Sequence, residues 1–276
     1  MNARPLVVLL LLLAGSAHAE EVERLWGGGI AAQVNPAGIR VDLHGGLRFG
    51  LFGSTNPLVK DAHVAVGFTE QLSPAYNRRG VHVEVSPLSI LDLEAGVDGF
   101  GYFGTFGHLV AFPSYDSNFD DDARRAIRDQ SVARVGARLY LSPTLKFKLG
   151  RVSLRLSANF EWWHTHNAPR NFYYEPSSGT LLNAEGDALV SGGNLLLVDL
   201  QSDRPGHLQV GVFHDYLDVY RAPQNRKQRI GPMVALKLRD RRFGLPKPVL
   251  YGGILAYLES PDRSGVGGFV SLGFGR

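Results

Sequence analysis

Gly38-Ile39-Arg40-Val41-Asp42-Leu43-His44-Gly45-Gly46-Leu47-Arg48-Phe49-Gly50-Leu51 decides the fold class of this chain. Every second residue from Ile39 is apolar or glycine: Val41, Leu43, Gly45, Leu47, Phe49 and Leu51. The interleaved set is Arg40, Asp42, His44, Gly46, Arg48 and Gly50. A period of two places these sets on opposite faces of an extended strand. Soluble strands average about 5–6 residues, whereas a tilted membrane-spanning strand needs roughly 9–11. The run has the longer kind of length. Its greasy face meets either a protein core or lipid, and the rest of the chain decides which.

The first residues favour lipid. Arg4 precedes an apolar block from Leu6 to Ala14, and Ala17-His18-Ala19 follows. A positive start, a short hydrophobic centre and an A-x-A end describe a secretory signal peptide. Residues 1–19 are therefore expected to be cleaved near Ala19, leaving 20–276 as the mature chain. No later stretch reaches 18 uncharged apolar residues, so no transmembrane helix is expected. The chain has no cysteine, so no disulfide staples the fold. A formal net charge of +3 is too balanced to imply nucleic acid. Thirty-three glycines in 276 residues exceed the roughly 7% of an ordinary soluble domain.

Alternation recurs along the chain. Segments 23–34, 38–52, 61–71, 80–86, 91–98, 131–149, 152–163, 188–200, 207–220, 229–239, 248–258 and 265–275 read as strands. That is an all-β chain of about twelve antiparallel strands, with ten as the alternative count if Glu23–Val34 is not one. Breaks are expected at Ser73–Asn77, Ser86–Ser89, Gly150-Arg151, Ser202–Gly206, Ala222–Lys227, Asp240–Lys247 and Ser260–Ser264. Two long loops, 104–130 and 164–186, interrupt the pattern. The first holds one short helix, Asp121–Arg128, with Asp120 as N-cap and acids in its first turn. Short turns at one end and long loops at the other are what membrane barrels show. Aromatics collect towards the long-loop end: Phe100, Tyr102, Phe103, Trp162, Trp163, Tyr216 and Tyr220 are expected to form a girdle at the water interface.

With these features the chain resembles the bacterial outer-membrane β-barrel class. The resemblance implies an antiparallel transmembrane β-barrel in the outer membrane. Its partners would be outer-membrane lipids and the barrel-insertion machinery; it leaves the oligomeric state open. The closing strand of that class is alternating and apolar, which Val270, Leu272 and Phe274 match before Gly275-Arg276.

Signals for catalysis are few. Lipid hydrolases of the outer membrane carry His-x-Ser on a strand, and none of the nine histidines here has serine two residues on. Gly99-Phe100-Gly101-Tyr102-Phe103-Gly104 matches G-x-G-x-x-G, but no helix pattern opens after it. His164 and His166 near Glu161 have metal-like spacing without further ligands. Asp116, Asp120, Asp121 and Asp122 lack a calcium-loop pattern. No enzyme, metal or cofactor is expected. The charged face is the candidate site: Arg40, Asp42, His44, Arg48, His63, His82, Glu84, Asp92, Glu94, Asp98, Arg134, Arg138, Arg155 and Glu161 all fall opposite apolar positions. Lumen charges tune what crosses a pore, so a narrow pore for small solutes is one expectation. A structural or surface-binding barrel with a side-chain-filled lumen is the second. A soluble exported barrel with an apolar ligand inside is the third.

Overall fold

The computed structural model describes residues 22–104, 109–166, 172–200, 207–241 and 244–275. The expected signal peptide, 1–19, and the break at Ser202–Gly206 lie outside them. In chain order the elements are β1 (Glu23–Val34), β2 (Gly38–Gly50), β3 (His63–Leu72), β4 (Tyr76–Leu88), β5 (Leu91–Tyr102), β6 (Ala111–Phe112), α1 (Asp121–Ala126) and β7 (Arg134–Leu149). They continue with β8 (Val152–Ser157), β9 (Asn159–Thr165), β10 (Phe172–Glu175), β11 (Thr180–Asn183), β12 (Asp187–Asp199), β13 (Leu208–Val219), β14 (Ala222–Lys237), β15 (Val249–Glu259) and β16 (Val266–Gly275).

Twelve antiparallel strands close into a barrel. The ring closes because β1 pairs on both sides: Ile30 lies between Val41 of β2 and Leu272 of β16. β8 and β9 are two halves of one wall strand, since both pair with β7 and with β12. Their break falls at Ala158, opposite Pro143 of β7, which has no N–H to give the ladder. Gly150 supplies the positive φ of the tight β7–β8 turn. β6, β10 and β11 form a separate three-stranded sheet from the two long loops.

Closure leaves no free edge, so the wall strands satisfy their backbone groups through their neighbours on both sides, as a membrane requires. Side-chain parity then sets which solvent each face meets. Val, Leu, Ile and Phe point outward from the wall: Phe68 is 56% exposed, Ile254 62% and Val270 50%. A soluble barrel would turn these residues inward, so the third expectation above does not describe this chain. The inner face is polar, and its larger groups need small neighbours. A Cβ on Gly80 would collide with the Asp98 carboxylate, and one on Gly136 with the Phe100 ring.

The structure corrects several expected boundaries. Ala222–Lys227 is not a loop but the start of β14, joined to β13 through Tyr220-Arg221. Its polar run Gln224-Asn225-Arg226-Lys227-Gln228 reads as a loop, yet the strand is held by side-chain partners such as Arg226–Asp218. β4 begins at Tyr76 and runs to Leu88, through an irregularity between Val85 and Leu88 that hid its end. β7 begins at Arg134 rather than Ser131, and α1 stops at Ala126, followed by a single 3-10 turn, Arg128–Gln130. Asp120 does cap α1, accepting from the Ala123 N–H at 2.8 Å.

Candidate functional site

Parity gives the inner face of the barrel its charge. Arg138 on β7 projects between two neighbours: its guanidinium reaches Asp98 of β5 at 2.6 Å and Glu161 of β9 at 3.0 Å. Glu161 also accepts from Trp163 Nε1 at 3.0 Å and from Ser191 Oγ at 2.9 Å. Arg78 stands 3.7 Å from Asp98. Around the ring, Arg40 donates to Asp42 at 3.0 Å, and Gln71 to the same carboxylate at 2.7 Å. Arg48 meets Glu23 at 3.1 Å. His63 bridges the Asp61 carbonyl and Glu84, both at 2.8 Å. Asp92 takes Ser86 and Lys146, while the Tyr140 hydroxyl donates to Glu94 at 2.7 Å. His44 and His82 stand over Gly27 and Gly67 of adjacent strands. Arg134 donates to the Ala133 carbonyl, and Arg155 is exposed on β8.

An open space lies between these ion pairs. A chamber of about 380 Å³ lies inside the barrel, beneath the loop segment Pro176–Gly179. Its surface presents five cations, Arg40, Arg78, Arg138, Lys227 and Arg229, against two acids, Glu161 and Asp215. The compensating Asp42, Asp98 and Asp262 sit behind the cations rather than on the chamber surface. The groups that face the space are thus mostly cationic, while the charge of the shell around it is balanced.

The chamber has a roof because the two long loops fold into the barrel mouth. Leu109, Tyr173, Leu182 and Ala184 of the loops pack against inward-facing Phe100, Tyr102, Trp163, Leu217 and Val219 of the wall. This overturns part of the expected girdle. Phe100, Tyr102 and Trp163 are at most 4% exposed and belong to the plug, not to a lipid interface. The period of two already carries this: Phe100 and Tyr102 share the face of Asp98, and Trp163 that of Glu161. Phe103 and Trp162 do face outward, 48% and 50% exposed, and Tyr220 is 83% exposed at its strand end. Tyr216 lies half-buried on the outer wall.

Polar latches hold the plug. Glu175 accepts from the Tyr102 hydroxyl at 3.1 Å, from Ser177 N and Oγ at 2.9 Å each, and from Ser178 N at 2.5 Å. Tyr115 donates to Asp187 at 2.7 Å. Lys227 joins the Gly179 carbonyl to Asp262. Arg263 of the β15–β16 turn grips Asp121 of α1 at 2.6 and 2.9 Å. The Arg263 hydrogen bonds hold the Asp121 carboxyl below its usual range, against the opposing effect of burial. A depressed carboxylate contributes stability that is present above its unfolded pKa, about 3.9, and is lost as pH falls through the lower folded value. The latch should thus hold at neutral pH and release in acid. Asp121→Asn should likewise loosen it, and trypsin at pH 7 should cut that variant at Arg124 and Arg125 faster than wild type.

His164 and His166 stack edge to face at 4.8 Å, but His164 and Glu161 point to opposite faces of β9. Among the described residues no group of three or more His, Cys, Asp or Glu is placed to hold a metal ion. Asp116 accepts from Gln224, and Asp122 pairs with Arg125.

Sequence reading missed four of the seven charged chamber residues, Arg78, Asp215, Lys227 and Arg229, and Tyr257 beside them. Arg78 fell between the expected turn Ser73–Asn77 and the expected strand 80–86. On β13 and β14 the outward set includes His214, Tyr216 and Gln228, so both faces are polar and parity gives no contrast.

Twelve strands, closure and an apolar outer wall decide the architecture. The fold is that of the bacterial outer-membrane β-barrels. No family pattern and no curated protein matches the chain. Solved structures do. The β domain of the Bordetella autotransporter BrkA is 13% identical, covering 92% of this chain and 99% of that one, with TM-score 0.43. The translocator domain of the autotransporter NalP from Neisseria meningitidis is 11% identical over 99% of this chain and 95% of its own, TM-score 0.37. LpxR from Salmonella typhimurium is 7% identical over 91% and 99%, TM-score 0.43.

Proposed function

We propose that this protein is an outer-membrane barrel whose lumen is a narrow, loop-capped passage for small polar solutes, with a preference for anions. The observation that carries it is the chamber surface of five cations and two acids beneath the Pro176–Gly179 roof. The apolar wall supports residence in a bilayer. The expected export signal, cleaved near Ala19, supports the outer membrane as that bilayer, with the capped end outward. Insertion would use the cell's barrel-assembly machinery. The paired charges line a wet passage, and the plug keeps its conductance small. No catalytic role is assigned to any of these groups.

Conductance in planar bilayers tests this. The refolded protein should give small channel events under a KCl gradient, with a reversal potential on the anion side. Cation selectivity would contradict the anion preference. A structural barrel with a filled lumen, which the packed plug favours, is the second reading. It is supported if neither the native protein nor a variant with a loosened plug conducts.

A further inference from the structure

The outer wall is apolar over most of its height; near the capped end it turns polar on β3 and β4, where Glu70 and Arg79 stand 3.7 Å apart, and more extensively on β12, β13 and β14. On β5 the outward residues towards the capped end are Val97, Gly99, Gly101 and Phe103; on β7 they are Leu139, Ala137 and Val135. On β13, by contrast, outward Val212 is followed by His214, Tyr216 and Asp218, and β14 sets Arg226 and Gln228 beside them. These residues surround an outward-opening groove of about 480 Å³, with Tyr220 at its rim. That volume is in the range of small-ligand sites, about 300–1,000 Å³.

The groove is built. The Tyr216 ring lies over Gly192 of β12, where a Cβ would collide with it at 2.7 Å. The His214 ring lies near parallel to Tyr216, at 21° and 6.1 Å, and its Nδ1 is held by Asn194 Nδ2 at 3.2 Å. Arg226 spends Nε and Nη2 on a single oxygen of Asp218, at 3.2 and 2.9 Å. Arg226 Nη1, the other Asp218 oxygen, the Gln228 amide and the Tyr216 hydroxyl have no hydrogen-bond partner among the described residues. Polar groups facing a bilayer without partners are costly. A wall that keeps four of them together, beside aromatic rings, is shaped to be satisfied from the membrane side.

The charge chooses the occupant. Asp218 and Arg226 cancel, so the groove does not select a phosphate or a carboxylate. It offers a carboxylate acceptor, guanidinium and amide donors, a hydroxyl and flat rings, which match vicinal hydroxyls and the C–H face of a sugar. β13 rises about 3.3 Å per residue, so the groove runs from the rim at Tyr220 down to the apolar band of Leu196, Val212 and Val234. We propose that this groove binds the sugar headgroup of a membrane glycolipid, with the acyl chains lying along that band. The proposal rests on the membrane placement above but not on the pore.

The full chain, refolded in mild detergent, would be mixed with monoglucosyl diacylglycerol, phosphatidylcholine or phosphatidylglycerol of identical acyl chains. Native mass spectrometry then counts the lipid retained. The expected result is at least a tenfold preference for the glucosyl lipid. Asp218→Leu combined with Arg226→Leu should reduce it to the phosphatidylcholine level. Tyr216→Phe and Gln228→Leu should each weaken it several-fold, and they decide the matter if the double variant does not fold. Each variant must keep the heat-modifiable gel shift and the native conductance; loss of those would instead question the barrel itself. Equal retention of all three lipids would overturn the proposal. So would preference for phosphatidylglycerol, or a dimer lost on Tyr220→Ser, which would make this face a contact between copies.

Discussion

Glu175→Ala should open the barrel: single-channel conductance is expected to rise several-fold over the native protein, while the folded band on an unheated gel persists. Glu175 is 1% exposed and its carboxylate satisfies the Tyr102 hydroxyl, Ser177 and Ser178 together. Removing it orphans four donors, the buried Tyr102 hydroxyl and three part-buried groups of Ser177 and Ser178, and a buried donor left unpaired costs about 1–3 kcal/mol. Only the roof over the chamber and its tie to β5 depend on those bonds. The wall ladders do not, so the loss falls on the plug. Glu175→Gln keeps one acceptor and should lie between. An unchanged conductance in Glu175→Ala would show that the plug is held elsewhere or does not limit flow.

Arg138→Ala should both weaken the barrel and reduce its anion preference. Arg138 is the shared counter-charge of Asp98 and Glu161, whose side chains are 2% and 7% exposed. Without it Glu161 loses its cation and Asp98 keeps only Arg78, at 3.7 Å, and breaking such a buried pair costs about 3–5 kcal/mol. Urea unfolding in detergent should show that loss. Adding Glu161→Gln alone should recover part of it, because Asp98 then still faces Arg78 and no buried carboxylate is left without a cation. Arg138→Ala also removes one of five cations from the chamber and exposes Glu161, so the reversal potential should move towards cations. Arg138→Lys should keep the selectivity and lose part of the stability, since an ammonium cannot fork between two carboxylates.

The wall was legible in the sequence wherever its two faces differ. In β2 the contrast between Val41 and Asp42 or Leu47 and Arg48 states parity without ambiguity, and β3, β5 and β8 behave alike, whereas the glycine- and alanine-rich β1 left its own status open. The plug was not legible. β10 and β11 are four residues each, and Tyr173 and Leu182 are buried by a loop sheet that has no period of its own. Phe100 and Trp163 were misassigned because clustering of aromatics was weighed above parity. β14 was misread for the opposite reason: its outward residues are as polar as its inward ones, and the groove beside Tyr216 is what removes the contrast.

The central claim is that alternate residues of one strand meet lipid and water. The chain has no native cysteine, so single cysteines at 39, 40, 41, 42, 43, 44, 47 and 48 can each carry one fluorophore in refolded, liposome-embedded protein. Quenching by lipids brominated on their acyl chains reads the environment directly. Strong quenching at Ile39, Val41, Leu43 and Leu47, with little at Arg40, Asp42, His44 and Arg48, is the expected result. Uniform quenching, or strong quenching at the charged positions alone, would contradict a membrane barrel with this register.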